Sequence, residues 1–429
     1  MWGKTFDSVA WGWPAPCAGD GTIVLASLLY STTGEGLDST WRSVPMNISG
    51  SPPGRYYRPE LDVVRFLAFL LVFLTHTLPH GGEPRVTAVL KGFAPLFYNA
   101  ATACSFGLSL FFTLSAFLIC ELLLREKQAS GTVRVNQFYI RRILRIWPLY
   151  YLGLALGLGF AFPAGGDRST LVGMGWYAVF QGAWYNTLYT TLNTPSGPLW
   201  SVSVEEQFYL MAPWVVKHCC RKTMYGFSAA LIVAANAWLF FLGQNHVTYA
   251  RIWNNTFVQF ENFAAGILLC LVLRTWLPKM AAWTRLLVFL GAGLCWMEAA
   301  ALVQSNTLVV EAPGSWQLMG HYALASVGSV LILIAFLGIE AGVLPRWGVY
   351  LGRISFGLYV YHGFAIYIAK RFLFAPVASY ASPLILAKGL TTLGLDVVMA
   401  AISYRFFETP FLKMKQRHAV IPTEPVSGG

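Results

Sequence analysis

Residues 58–79 read RPELDVVRFLAFLLVFLTHTLP. From residue 61 to 79 the stretch is long enough to cross ~30 Å of hydrocarbon as a helix. It nevertheless carries Arg65 and His76, which lipid does not solvate. An ionisable side chain at membrane depth costs ~2.5–3.5 kcal/mol on insertion scales, so it normally faces protein or a wet cavity. The two residues are eleven positions apart, which returns them to nearly the same helix face with ~16 Å of rise between them. Taken singly, each has a plainer reading: Arg65 as a snorkelling anchor, His76 as an interfacial residue at the helix end.

Outward from this segment, similar apolar runs recur at 104–124, 147–163, 200–217, 226–243, 257–274, 283–303, 319–340, 351–370 and 383–405. The 429-residue chain is 56% hydrophobic and only 11% charged, against about a quarter charged in soluble domains. The expected fold is an all-α polytopic membrane protein, about ten transmembrane helices in one bundle. A net charge of +11 would suggest a nucleic-acid partner in a soluble protein. Here the basic residues sit in short loops and set topology instead, so no nucleic-acid partner is expected.

Residues 170–188 are ambiguous, being apolar and aromatic but interrupted by Gly and Gln. Suppose they lie in the interface and the N-terminus is cytoplasmic. Then all but seven of the 30 Lys and Arg fall at the cytoplasmic face, the seven being Arg85, Lys91, Arg168, Arg251, Lys370, Arg371 and Lys388. That distribution predicts ten spans in the inner (cytoplasmic) membrane with both termini inside. Residues 1–57 read as a flexible extension, or as foreign to the protein if Met46 is the true initiator. Residues 58–412 form the membrane domain and 413–429 a cytoplasmic tail. The cysteines, Cys17, Cys104, Cys120, Cys219, Cys220, Cys270 and Cys295, have no metal-ligand spacing and suggest no disulfide framework. No metal site is expected, and no repeat of 20–50 residues is visible.

Four further segments carry polar groups into or beside the spans. After span two, Arg141, Arg142 and Arg145 are denser than orientation requires. Arg142 and Arg145 stand three apart on one side of a helix. Paired guanidiniums suit phosphate, although anionic lipid headgroups compete for the same chemistry. The fourth span opens with LWSVSVEEQFY (199–209), placing Glu205 and Glu206 side by side. The ninth opens with RISFGLYVYH (353–362), in which Ser355, Tyr359 and His362 share a face. Asp396 lies within span ten, where a Ser or Lys of the bundle is its expected partner, and FFETPF (406–411) follows at the inner end.

In this order, these segments resemble the acyltransferase-3 family of membrane-bound O-acyltransferases. The matching pieces run from RPELD-x2-R and the Arg65-x10-His76 spacing, through Leu110–Phe117, Arg142-x2-Arg145, LWSVSVEEQFY and RISFGLYVYH, to FFETPF. One departure is Ser115-Ala116-Phe117, where the family usually has Ser-Gly-Phe. Some members carry a fused extracytoplasmic esterase-like domain; the chain ends at Gly429, shortly after the last span, so none is expected.

The resemblance implies transfer of an acyl group, usually acetyl from acetyl-CoA, to a hydroxyl of a sugar or glycosylated acceptor. Acyl-CoA is then a co-substrate, with no permanently bound cofactor. Arg142 and Arg145 become candidates for the CoA phosphates, with Arg65 deeper on the same path. A sugar hydroxyl needs a base near neutral pKa, which histidine provides. His76 is therefore expected as the base, or as a transient acyl carrier. Glu205 or Glu206 would orient the acceptor or a cation, and Ser355, Tyr359 and His362 would line its pocket. The competing reading is a proton-coupled transporter, which would show more mid-span carboxylates and an internal repeat.

Overall fold

The computed structural model describes residues 56–79, 84–161, 167–274, 277–303, 313–373 and 382–421. The expected extension thus lies outside the described residues, Met46 included, except for Tyr56 and Tyr57. Helices occupy each of the ten expected places: α1 Pro59–Thr77, α2 Gly107–Ser130, α3 Val135–Ala161, α4 Trp200–His218, α5 Arg221–Gln244, α6 Thr256–Leu273, α7 Ala282–Val303, α8 Ser315–Phe336, α9 Ser355–Ile368 and α10 Ser382–Ser403. Strands are absent among the described residues. Buried apolar side chains from α1 to α10 form one large core, and the protein is an all-α polytopic membrane protein.

Seven helices among the described residues are long and apolar enough to cross a membrane. The three that fall short are α1, α4 and α9. Charge explains the first two: α1 carries Glu60, Asp62 and Arg65, and α4 carries Glu205, Glu206 and Lys217. Helix α9 has only 14 residues, or ~21 Å at 1.5 Å per residue. It is flanked by the short helix Arg346–Arg353 and by a π turn at Ala369–Leu373. By contrast, α7 turns Leu286, Leu290 and Leu294 outward, a stripe that only an apolar solvent would accept at that size.

Residues 170–188 do not form one span. They divide into helices Arg168–Ala178 and Gly182–Leu188, broken where Phe180 adopts φ 56°. The first helix is capped by Asp167. Its carboxylate accepts from the hydroxyl of Ser169 at 2.7 Å and from the backbone N–H and hydroxyl of Thr170, both at 3.0 Å. These donors hold its pKa down at about 2.

Close helix crossings rest on glycine, as is usual where backbones approach in membranes. A Cβ on Gly266 of α6 would lie 2.3 Å from the Thr113 carbonyl oxygen and 2.8 Å from the Ala116 methyl of α2. This accounts for the Ala116 departure: the methyl fits because the residue opposite is glycine. A Cβ on Gly352 would lie only 1.9 Å from the Asp62 carbonyl oxygen of α1. Replacing Gly352 by Ala should therefore force α1 and helix Arg346–Arg353 apart, at a cost of about 1–3 kcal/mol. Gly226→Ala, where no atom lies within 4 Å of the added methyl, is the control. Thermal unfolding in detergent checks this; equal midpoints for the two variants would refute the contact.

Candidate active site

Helix α1 begins at Pro59, whose missing N–H costs nothing in a first turn. Its first two turns put Asp62 and Arg65 on one side. Arg65 Nη1 donates to Asp62 Oδ1 at 2.5 Å, and Tyr57 OH donates to Asp62 Oδ2 at 3.0 Å. Arg353 Nη2 in turn donates to Tyr57 OH at 3.1 Å. The guanidinium of Arg65 is thus fixed in place while still lining a cavity of about 600 Å³ at the basic end of the bundle.

Helix α3 supplies the other cations. Arg141 is committed to the protein: Nη2 donates to Glu126 Oε2 at 2.8 Å and Nη1 to the His418 carbonyl at 3.0 Å. Arg142 and Arg145 line the same cavity, and neither forms an ion pair among the described residues. The Arg142 guanidinium lies 5.6 Å from the ring centroids of both Phe138 and Tyr209, and its Nε is buried without a hydrogen-bond partner among the described residues. A cation buried without a carboxylate is expensive, and an anionic ligand would relieve that cost.

Ser201, Glu205 and Tyr209 repeat every four residues along α4, so they share a face, and all three line the cavity. Tyr209 OH donates to Glu205 Oε2 at 3.0 Å and shares a 2.8 Å bond with Ser115 Oγ. Glu206 points elsewhere. It accepts from the Trp147 indole N–H at 3.3 Å and is absent from the cavity wall. The structure therefore separates the two adjacent carboxylates, and only Glu205 joins the candidate site.

Ser355 and Tyr359 line the cavity, whereas His362 and His76 do not. Tyr359 stands between the two regions. Its OH donates to the Pro198 carbonyl at 2.8 Å and shares a 2.6 Å bond with Ser201 Oγ. Its ring centroid is 5.4 Å from that of His362, which is 5.3 Å from that of His76. His362 is fully buried; its Nδ1 faces the Tyr359 carbonyl at 2.6 Å and its Nε2 has no hydrogen-bond partner among the described residues. His76 is exposed at the far end of α1. Arg65 and His76 thus belong to one helix but to two compartments, linked by the rings of Tyr359 and His362.

Several cavity residues were not singled out from sequence. Glu408 is turned inward by a π turn at Tyr404–Glu408 and accepts from Ser403 Oγ at 3.3 Å; FFETPF was the available signal. Ser115 and Tyr209 lay within recognised segments but had no assigned role. The expected tail contributes Lys415, Ala419 and Ile421 to the wall, and nothing in its composition announced this. Asp396 is buried, and neither oxygen has a hydrogen-bond partner among the described residues; the expected Ser or Lys contact does not form. Groups of three or more residues able to hold a metal are absent among the described residues, and no described cysteine is in a disulfide.

Fold and site together define a polytopic helical membrane protein with a basic cavity inside its bundle. The family described as the acyltransferase domain matches residues 58–401, and the chain belongs to it. A putative O-acetyltransferase of Staphylococcus aureus (strain MSSA476) is 22% identical over 83% of this chain and 58% of its own length. The peptidoglycan O-acetyltransferase OatA of Listeria monocytogenes serovar 1/2a (strain ATCC BAA-679 / EGD-e) is 23% identical over 84% and 56%. The O-acetyltransferase OatA of Staphylococcus aureus (strain NCTC 8325 / PS 47) is 22% identical over 72% and 52%. The chain thus spans a little over half the length of these curated relatives. No solved structure matches it.

The Ser115–Tyr209–Glu205 chain has a direct consequence. Tyr209→Phe removes the hydroxyl donor to Glu205 and orphans Ser115, which should lower stability by about 1–3 kcal/mol. The thermal midpoint of the purified protein measures this, and a midpoint equal to wild type would refute the hydrogen-bond chain.

Proposed function

We propose that this chain transfers an acetyl group from acetyl-CoA to a hydroxyl of a cell-envelope polysaccharide or another glycosylated acceptor on the far side of the membrane. One observation carries the reading: two arginines with no carboxylate partner among the described residues, Arg142 and Arg145, line a cavity of about 600 Å³ whose inner wall abuts a histidine pair. The donor is polyanionic and cytoplasmic. In this reading the basic end of the bundle faces the cytoplasm of the inner membrane, and ten spans leave both termini there. Guanidiniums bind phosphate through paired N–H donors, and a low-dielectric wall strengthens the attraction. The apolar inner end of the cavity, at Leu108, Phe111 and Tyr359, receives the thioester.

The exposed end of α1 offers His76 to the acceptor. In this reading the Tyr359 ring swings aside, and His76 removes the hydroxyl proton as the oxygen attacks the thioester carbonyl. The C–S bond breaks, the acyl group passes to oxygen, and the departing sulfur leaves as a thiol after taking up a proton. An acyl group held for a moment on the His76 ring would satisfy the same balance in two steps. Glu205 lies on the donor side of Tyr359, so its service in this reading is to the thioester end of the donor. The names of the relatives favour O-acetylation and, for the Listeria protein, peptidoglycan as acceptor.

Two variants test the reading in membranes with matched expression. His76→Ala should abolish acyl transfer while leaving CoA binding intact; wild-type activity would remove the histidine from the reaction. Arg145→Gln should weaken CoA binding about tenfold and reduce its salt dependence, whereas Arg251→Gln should do neither, because Arg251 is exposed near the opposite end. Equal salt slopes for Arg145→Gln and wild type would refute the phosphate assignment.

A further inference from the structure

Helix Thr409–Gln416 follows α10 through the π turn and packs along α3. Call it α11. Of its basic residues, Lys413 is exposed while Lys415 is only 8% exposed and lines the cavity. Beyond it the chain turns back, with Arg417, His418 and Ala419 N–H groups donating to the carbonyls of Met414, Lys415 and Gln416 at 3.1–3.2 Å. Ala419 and Ile421 then complete part of the cavity wall.

Two contacts dock this turn on α3. Arg141 Nη1 donates to the His418 carbonyl at 3.0 Å, and His418 Nδ1 lies 2.8 Å from Gln137 Oε1. Arg141 is therefore spent on holding the turn and Glu126, and it has little left for a ligand. Lys415 is carried by the docked element to the same cavity as Arg142 and Arg145.

We propose that residues 409–421 form part of the donor-binding site. Lys415 is a binding residue for the phosphate-bearing end of a CoA thioester, and the turn 417–421 is the wall that closes on it. The inference rests on the reading that this cavity takes acyl-CoA. It adds a cationic contact outside the membrane spans and makes donor affinity depend on a segment that composition alone marks as a tail. Lys415 brings a further cation to the wall that holds Arg142 and Arg145, and clustered cations of this kind suit the several phosphates of a CoA thioester.

The probe is CoA itself, titrated calorimetrically into the purified full chain at several salt concentrations. Five further proteins are compared with wild type: Arg142→Gln, Lys415→Gln, Lys415→Arg, Lys413→Gln and a chain ending at Gln416, each checked for its thermal midpoint. Lys415→Gln should bind about tenfold more weakly, the usual loss for a charge-assisted hydrogen bond, with a shallower salt slope. Lys415→Arg should restore most of the affinity, and Lys413→Gln should bind as wild type does. The chain ending at Gln416 should also bind more weakly. Wild-type affinity in Lys415→Gln overturns the lysine assignment, and wild-type affinity in the shortened chain overturns the wall. If Arg142→Gln loses affinity while these two do not, the donor reading stands and this inference fails. If wild type binds no CoA, or Arg142→Gln binds like wild type, the donor reading fails and takes the inference with it.

Discussion

Charge beside the cavity is answered mostly by opposite charge, because lipid offers no solvation. Most of the architecture around the cavity follows from that constraint. Asp62 answers Arg65, Glu126 answers Arg141, and Glu121 answers both Arg125 and Arg274. Each pair ties two chain segments or two turns of one helix, and each leaves its cation with a fixed direction. Against this background Arg142 and Arg145 stand out, since no described carboxylate lies within ion-pair distance of either. Arg285, which also has no ion pair among the described residues, donates instead to the carbonyls of Met280, Ala335 and Leu337, away from the cavity.

The places of the ten helices were legible in the apolar runs, and seven of these helices have the length and hydropathy that bilayer thickness sets; the break within 170–188 was legible in its Gly and Gln. The Arg142/Arg145 register was legible for a similar reason: three residues along a helix is local geometry. Glu205 and Glu206 mark where this stops. Adjacent helical residues point about 100° apart, so only one of them faces the cavity, and sequence alone has no basis for choosing. Ser115 and Tyr209 are 94 positions apart, yet they share a hydrogen bond. Lys415 differs from Lys413 only in how α11 is rotated against α3. All three outcomes are tertiary, and no local pattern encodes them.

The shared helix face of Arg65 and His76 was also legible, but its meaning changes in three dimensions. Their common register suggests one continuous path. Instead the cavity stops at Tyr359, whose hydroxyl is held by Ser201 and by the Pro198 carbonyl. The segment before α4 reaches this position because Gly363 lets the chain come close: a Cβ there would lie 2.1 Å from the Pro195 carbonyl oxygen. Irregular backbone at such depth is tolerated where it is buried in protein. It serves here as an anchor for Tyr359, whose ring stands between the basic cavity and His362.

Helices α1, α4 and α9 bring Arg65, Glu205 and Tyr359 to the same cavity. The charges of α1 and α4 weaken them as membrane elements, and α9 is short at 14 residues. The loss is offset by apolar neighbours, among them α6, which is buried over most of its length between α2, α5 and α8. The bundle therefore divides its labour. Helices that meet the membrane requirement unaided surround and support three that do not, and those three converge on the cavity because polar groups within a bilayer are stable only in one another's company.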